Sequence, residues 1–253
     1  MSRMKNFGWV AFLVLGAAGS GRPPPAPETD DGVDVTEGNE GEDPGAAAAF
    51  EGPEVVRPAS GLPAEAQRIL AAARETTYSH KTSIDEDEGR FDVDCSGFLG
   101  YLLRRVAPGA RKELVAATVK RPLAKHFVGF IEGLPDGGTG HWRRVGRALD
   151  LRPGDVVAWL RAPDSRSKDT GHVMLVAGTP VGHGARVEIP IFDSTALKHG
   201  RGDRRAAGSR TGVGEGTIVL HVDGSGRPVA FRWSPTGKYR EHATEIVLAR
   251  VTR

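Results

Sequence analysis

Asp94-Cys95-Ser96-Gly97-Phe98-Leu99-Gly100-Tyr101-Leu102-Leu103-Arg104-Arg105-Val106 begins with a helix-capping residue, sets the only cysteine of the chain directly after it, and continues with apolar residues at helical spacing. Phe98, Leu99, Leu102, Leu103 and Val106 form one stripe, so residues 96–107 are predicted as an amphipathic helix that needs a second layer to cover it. Asp94 is its expected N-cap and Pro108-Gly109 its stop. The second layer follows Leu151-Arg152-Pro153-Gly154, where the pattern changes to short runs rich in β-branched or aromatic residues. These runs, at 155–160, 172–177, 186–192, 217–222, 229–233 and 243–251, are separated by Gly, Pro or Asp and read as strands. Upstream, 62–74 reads as a helix with Pro63 in its first turn, 78–93 as loop with a short strand at most, and 110–133 as one or two helices broken near Arg121-Pro122. Helices first and strands second predict an α+β domain, with N-terminal helices packed on an antiparallel β-sheet. The Gly-rich stretch 198–216 is expected to be a long surface loop.

The N-terminal 60 residues are of another kind. Arg3 and Lys5, an apolar run from Phe7 to Ala18, and the small residues Ala17 to Ser20 have the layout of a cleavable signal peptide over residues 1–20. The run is too short to span a bilayer comfortably, so no membrane span is expected to survive cleavage. Residues 21–60 are rich in Pro, Gly and acids and poor in large apolar side chains; they are expected to be a disordered, solvated linker. Residues 61–253 are long enough for one well-buried core. Setting aside the four basic and ten acidic residues of positions 1–60 from the 34 and 32 of the whole chain leaves this domain at about +8. An exported basic domain suits a polyanionic envelope polymer, whereas its scattered cations, without interleaved aromatics, argue against nucleic acid. The expected location is the periplasm, the cell envelope or the exterior, and the expected state is monomeric.

The chemistry starts from Cys95. A lone cysteine cannot form an internal disulfide, so in an oxidising compartment it either packs inertly or reacts. At a helix start, beside unpaired N–H groups, its thiol pKa is expected to fall and the sulfur to be nucleophilic. A nucleophile needs a base, and His172 opens the apolar strand 172–177 behind Gly171. If that strand and 186–192 form a hairpin centred on Gly182-His183, His172 falls opposite Asp193, on the face shared by Val187, Ile189 and Ile191. Asp193 could then orient the imidazole, or be no more than a turn residue, with His199 the next candidate for the third place. Asp85, Asp87, Asp92 and Asp94 hint only weakly at calcium, and His199 with Asp203 only weakly at zinc. Arg201-Gly202-Asp203 reads as a chance tripeptide. No cofactor or metal is expected.

Three features stand in one order: Asp94-Cys95-Ser96-Gly97-Phe98 ahead of a helix, Leu151-Arg152-Pro153-Gly154-Asp155-Val156-Val157, and Gly171-His172-Val173 opening a strand. In this the chain resembles the NlpC/P60 family of cell-wall cysteine peptidases, over roughly residues 78–193. The resemblance implies a papain-like fold in which Cys95 is the nucleophile, His172 the base and Asp193 the orienting residue. Tyr78, Asp94 and Ser96 would lie at the oxyanion and substrate side. The implied activity is hydrolysis of amide bonds in peptidoglycan stem peptides, with residues 109–150 and 200–253 as additions. An amidase or acyltransferase using the same triad, or a catalytically idle wall-binding module, is the alternative.

Overall fold

The computed structural model describes residues 61–252 except 164, 166 and 207; the expected signal peptide and linker lie outside the described residues. The chain runs through α1 (Leu62–Ala72), β1 (Glu75–Tyr78), β2 (Ser83–Asp85) and β3 (Arg90–Val93), then α2 (Cys95–Val106), α3 (Pro108–Ala117) and α4 (Ala124–Glu132). The remainder is β-rich, with β4 (Trp142–Arg144), β5 (Val156–Leu160), β6 (Gly171–Val176), β7 (Val181–His183), β8 (Arg186–Thr195) and β9 (Arg204–Arg205), followed by β10 (Gly212–Val222), β11 (Pro228–Arg232), β12 (Glu241–Ala243) and β13 (Ile246–Val251). Helices thus precede a large antiparallel sheet of order β12-β11-β10-β8-β6-β5-β13-β4, with β7 and β9 pairing at its side.

The period-2 alternation of the strands divides the interior in two. Val156, Ala158, Val173, Leu175 and Phe192 join the helices in one core. Val157, Trp159, Met174, Val176, Ile189 and Ile191 face the other way, into a second core completed by Ile218, Leu220, Phe231 and Trp233. In α2, Phe98, Leu99, Leu102 and Leu103 are all buried, as their spacing predicts. Pro108 both ends α2 and starts α3, because the ring that cannot continue one helix suits the first turn of the next.

Three expectations are corrected. Residues 78–93, read mostly as loop, carry β2 and β3, which with β1 form a small three-stranded sheet leading into α2. The expected strand 243–251 begins later, as β13 at Ile246, and its first residue, Ala243, belongs instead to β12 in another part of the large sheet. Residues 198–216 are a surface loop only in part: Arg201, Gly202, Arg204, Gly208 and Arg210 are exposed, but His199 is 1% exposed and β10 already begins at Gly212. Glycine there signalled close packing, which composition alone cannot separate from a flexible turn.

Candidate active site

The small sheet delivers the chain to Cys95. Tyr78 lies beside Val93 in the parallel β1–β3 pair, so both reach the start of α2 together. Asp94 caps the helix as expected, its Oδ1 accepting from the Gly97 N–H at 2.6 Å and the Ser96 hydroxyl at 2.9 Å. A Cβ at position 97 would lie 2.9 Å from Thr82 Oγ1, so this turn packs closely only with glycine. Ser96 is buried and its hydroxyl is committed to the cap. The N–H groups of Cys95 and Ser96, first in the helix, have no intrahelical acceptor.

Cys95 lies against β6, its sulfur facing the backbone N–H of Val173, the residue after His172. Gly171 makes this strand start possible: with φ +144° it takes a conformation foreign to L side chains, and a Cβ would strike the Trp159 carbonyl. The expected low thiol pKa is not what the surroundings produce. Burial pushes the Cys95 thiol well up, and the carboxylates of Asp94, Asp169 and Asp193 add to this against the opposing Val173 N–H. The cysteine is only 5% exposed. Among the described residues no hydrogen bond joins Cys95 to His172, whose ring lies against Trp159 and Trp233.

His172 Nε2 lies 2.7 Å from Asp193 Oδ2. A carboxylate only accepts, so Nε2 carries the proton and a neutral ring keeps its lone pair on Nδ1. The register that brings them together differs from expectation. The β7–β8 hairpin turns at Gly184-Ala185, because His183 pairs with Arg186. Leu175 pairs with Phe192 and Val176 with Ile191, which sets His172 level with Thr195, two residues beyond Asp193. The contact survives as a diagonal one, which imidazole and carboxylate are long enough to span on a shared face. Nor is Asp193 a turn residue; it lies within β8, opposite Gly214 of β10.

Asp193 has more partners than the sequence suggested. His199 Nε2 lies 2.8 Å from the same Oδ2, and Arg205 Nη2 lies 3.6 Å from Oδ1. Burial pushes the Asp193 carboxyl up, but the charge of His199, the hydrogen bonds of both histidines and the Arg205 guanidinium overcome it and hold the group well below the usual carboxylate range. The other nitrogen of His199 lies 2.9 Å from the Trp233 carbonyl, so no ring nitrogen is left for a metal. Asp203 accepts from the His199 N–H and from Arg205 at 2.6 Å, which turns the Arg201-Gly202-Asp203 carboxylate inward. Of the aspartates weighed for calcium, Asp94 is committed to its cap and Asp85 pairs with Arg90 across the small sheet.

Beside His172 is a recess of about 500 Å³ including its open mouth, lined by Tyr78, Trp159, Asp169, Thr195, Phe231 and Trp233 among others. At its rim the Tyr78 hydroxyl donates to Asp169 at 3.2 Å. His80 bridges Asp169 and Asp94, and Arg121 donates to Asp94 at 2.8 Å. His80, Arg121, Asp169 and Trp233 were not singled out in the sequence. They come from a loop, a helix connection and strand ends distant along the chain, which local pattern does not link.

No family model matches the chain, and no solved structure matches it. It is similar to the uncharacterized protein R653 of Acanthamoeba polyphaga mimivirus, 29% identical over 167 residues, a match covering 58% of this chain and 71% of that protein.

Proposed function

We propose that this chain is a cysteine hydrolase of the NlpC/P60 kind, with a papain-like arrangement, acting on amide bonds of peptidoglycan stem peptides in the cell envelope. The observation that carries the reading is the meeting of the Cys95 helix start with β6 at Val173, beside a His172 whose Nε2 is bonded to a buried carboxylate. In the reaction, His172 Nδ1 takes the thiol proton as sulfur attacks the carbonyl carbon. The N–H groups of Cys95 and Ser96 receive the oxyanion, and Tyr78 lines the recess beside His172. His172 then protonates the leaving amine, and a water deprotonated by the same ring releases the acyl group and restores the thiol. An amidase or acyltransferase would use the same steps with another leaving group or acceptor.

Mass spectrometry of purified wall fragments incubated with the protein tests this. Cleavage at an amide bond, lost in Cys95→Ala and His172→Ala with folding retained, is the expected result. The burial of Cys95 and its raised thiol favour one competing reading, an idle wall-binding module. That reading predicts no products, and alkylation of Cys95 by iodoacetamide no faster than of free cysteine.

A further inference from the structure

His199 is buried with a side-chain exposure of 0%, and both its ring nitrogens face atoms that can only accept. Nδ1 lies 2.9 Å from the Trp233 backbone carbonyl, and Nε2 lies 2.8 Å from Asp193 Oδ2. A neutral imidazole has one N–H and one lone pair, so it would set that lone pair against an acceptor. Two protons satisfy both contacts. Charge balance points the same way: with Asp193 and Asp203 negative and Arg205 positive in one buried cluster, a neutral His199 leaves an uncompensated anion. The ring also stacks on the Trp233 indole, centroids 4.4 Å apart and planes 21° from parallel, a face that attracts a cation.

We infer that His199 is held as an imidazolium by its two acceptors and acts as a positioning residue, fixing Asp193 with Oδ2 aimed so that His172 presents Nε2–H to it and keeps Nδ1 open. The consequence for the base rests on the reading of His172 proposed above; the charge of His199 does not. Each Nε2 lies within 2.8 Å of the same oxygen, so the two rings are near enough for a charge on one to oppose a charge on the other. The charged groups facing this pair are Asp193 from β8, Asp203 from the preceding turn and Arg205 from β9.

Nitrogen-15 spectra of the histidine-labelled full chain, recorded at neutral pH, test the inference without any substrate. The His199 signals, identified by their loss in His199→Gln, are expected to show both ring nitrogens protonated, as two acceptor contacts require. In His199→Gln, the His172 signals are expected to change from the single Nε2–H tautomer to a mixture of tautomers, because the group that fixes Asp193 Oδ2 has gone. A His199 with only one ring proton would overturn the imidazolium. A doubly protonated His199 whose replacement leaves the His172 tautomer unchanged would overturn the positioning role. Both outcomes are readable even if the protein cleaves no wall peptide.

Discussion

Asp193 shows how much a single side chain can carry when its partners converge from separate strands. It accepts from His172 of β6 and from His199 and is flanked by Arg205 of β9, all with little or no water around them. Replacing it with Asn preserves shape but leaves buried cations without their counter-ion. If His172 is a base oriented by Asp193, Asp193→Asn is expected to lower turnover about ten-fold or more, roughly 1.4 kcal/mol of barrier. It should also destabilise the fold by about 3 kcal/mol at neutral pH, measured by denaturant unfolding. A turn residue in this place would have left stability almost unchanged. The carboxyl is held below its ordinary range, so its contribution is present above about 3.9 and lost as pH falls through the lower folded value. The gap between wild type and Asp193→Asn should accordingly close under strong acid.

At the scale of elements, the end of α4 meets the segment before β13 through two like charges. Glu132 is pushed up to about 7, first by its hydrogen bond with Glu245, then by burial and by that neighbour's charge. A raised acid stabilises while protonated, so this contact weakens as pH rises from the ordinary carboxylate range through about 7. Glu245→Gln is expected to remove that pH dependence and to raise the melting temperature on the alkaline side, seen by thermal scans on either side of neutrality. The helices were legible because their apolar stripes fix a face: α2 is bounded within one residue of its expected ends and capped by the expected Asp94. Strand cores were legible for the same reason, and so was the face that His172 and Asp193 share. Register was not, since Leu175 could meet residue 190 or 192 with the same alternation, and the β7–β8 turn together with a two-residue shift between β6 and β7 decides between them. His199 was weighed as a zinc ligand or third residue, but its place beside Asp193 depends on the glycine-rich segment packing inward, which nothing in its composition required.

For the whole molecule, the decisive join is between the middle of the chain and its last strand. Arg250 of β13 makes a two-point contact with Asp155, Nε to Oδ1 at 2.9 Å and Nη2 to Oδ2 at 2.8 Å, while the Arg152 N–H also donates to Asp155. The aspartate of Leu151-Arg152-Pro153-Gly154-Asp155 is therefore a clamp between β5 and β13. Burial pushes its carboxyl up despite these partners, so removing the guanidinium exposes the full cost of a buried charge. Arg250→Met is expected to lose roughly 3 kcal/mol of stability, with the loss growing as pH rises and Asp155 ionises; urea unfolding at two pH values checks both. The position of β13 between β5 and β4 also sets a timetable. On the ribosome, β5 emerges about 85 residues before the strand that covers its outer edge, an interval of roughly 4 to 17 seconds at ordinary elongation rates. Until β13 arrives, the edge of β5 carrying Val156, Val157 and Ala158 has no strand beside it, and an unpaired apolar edge is a template for pairing with another chain.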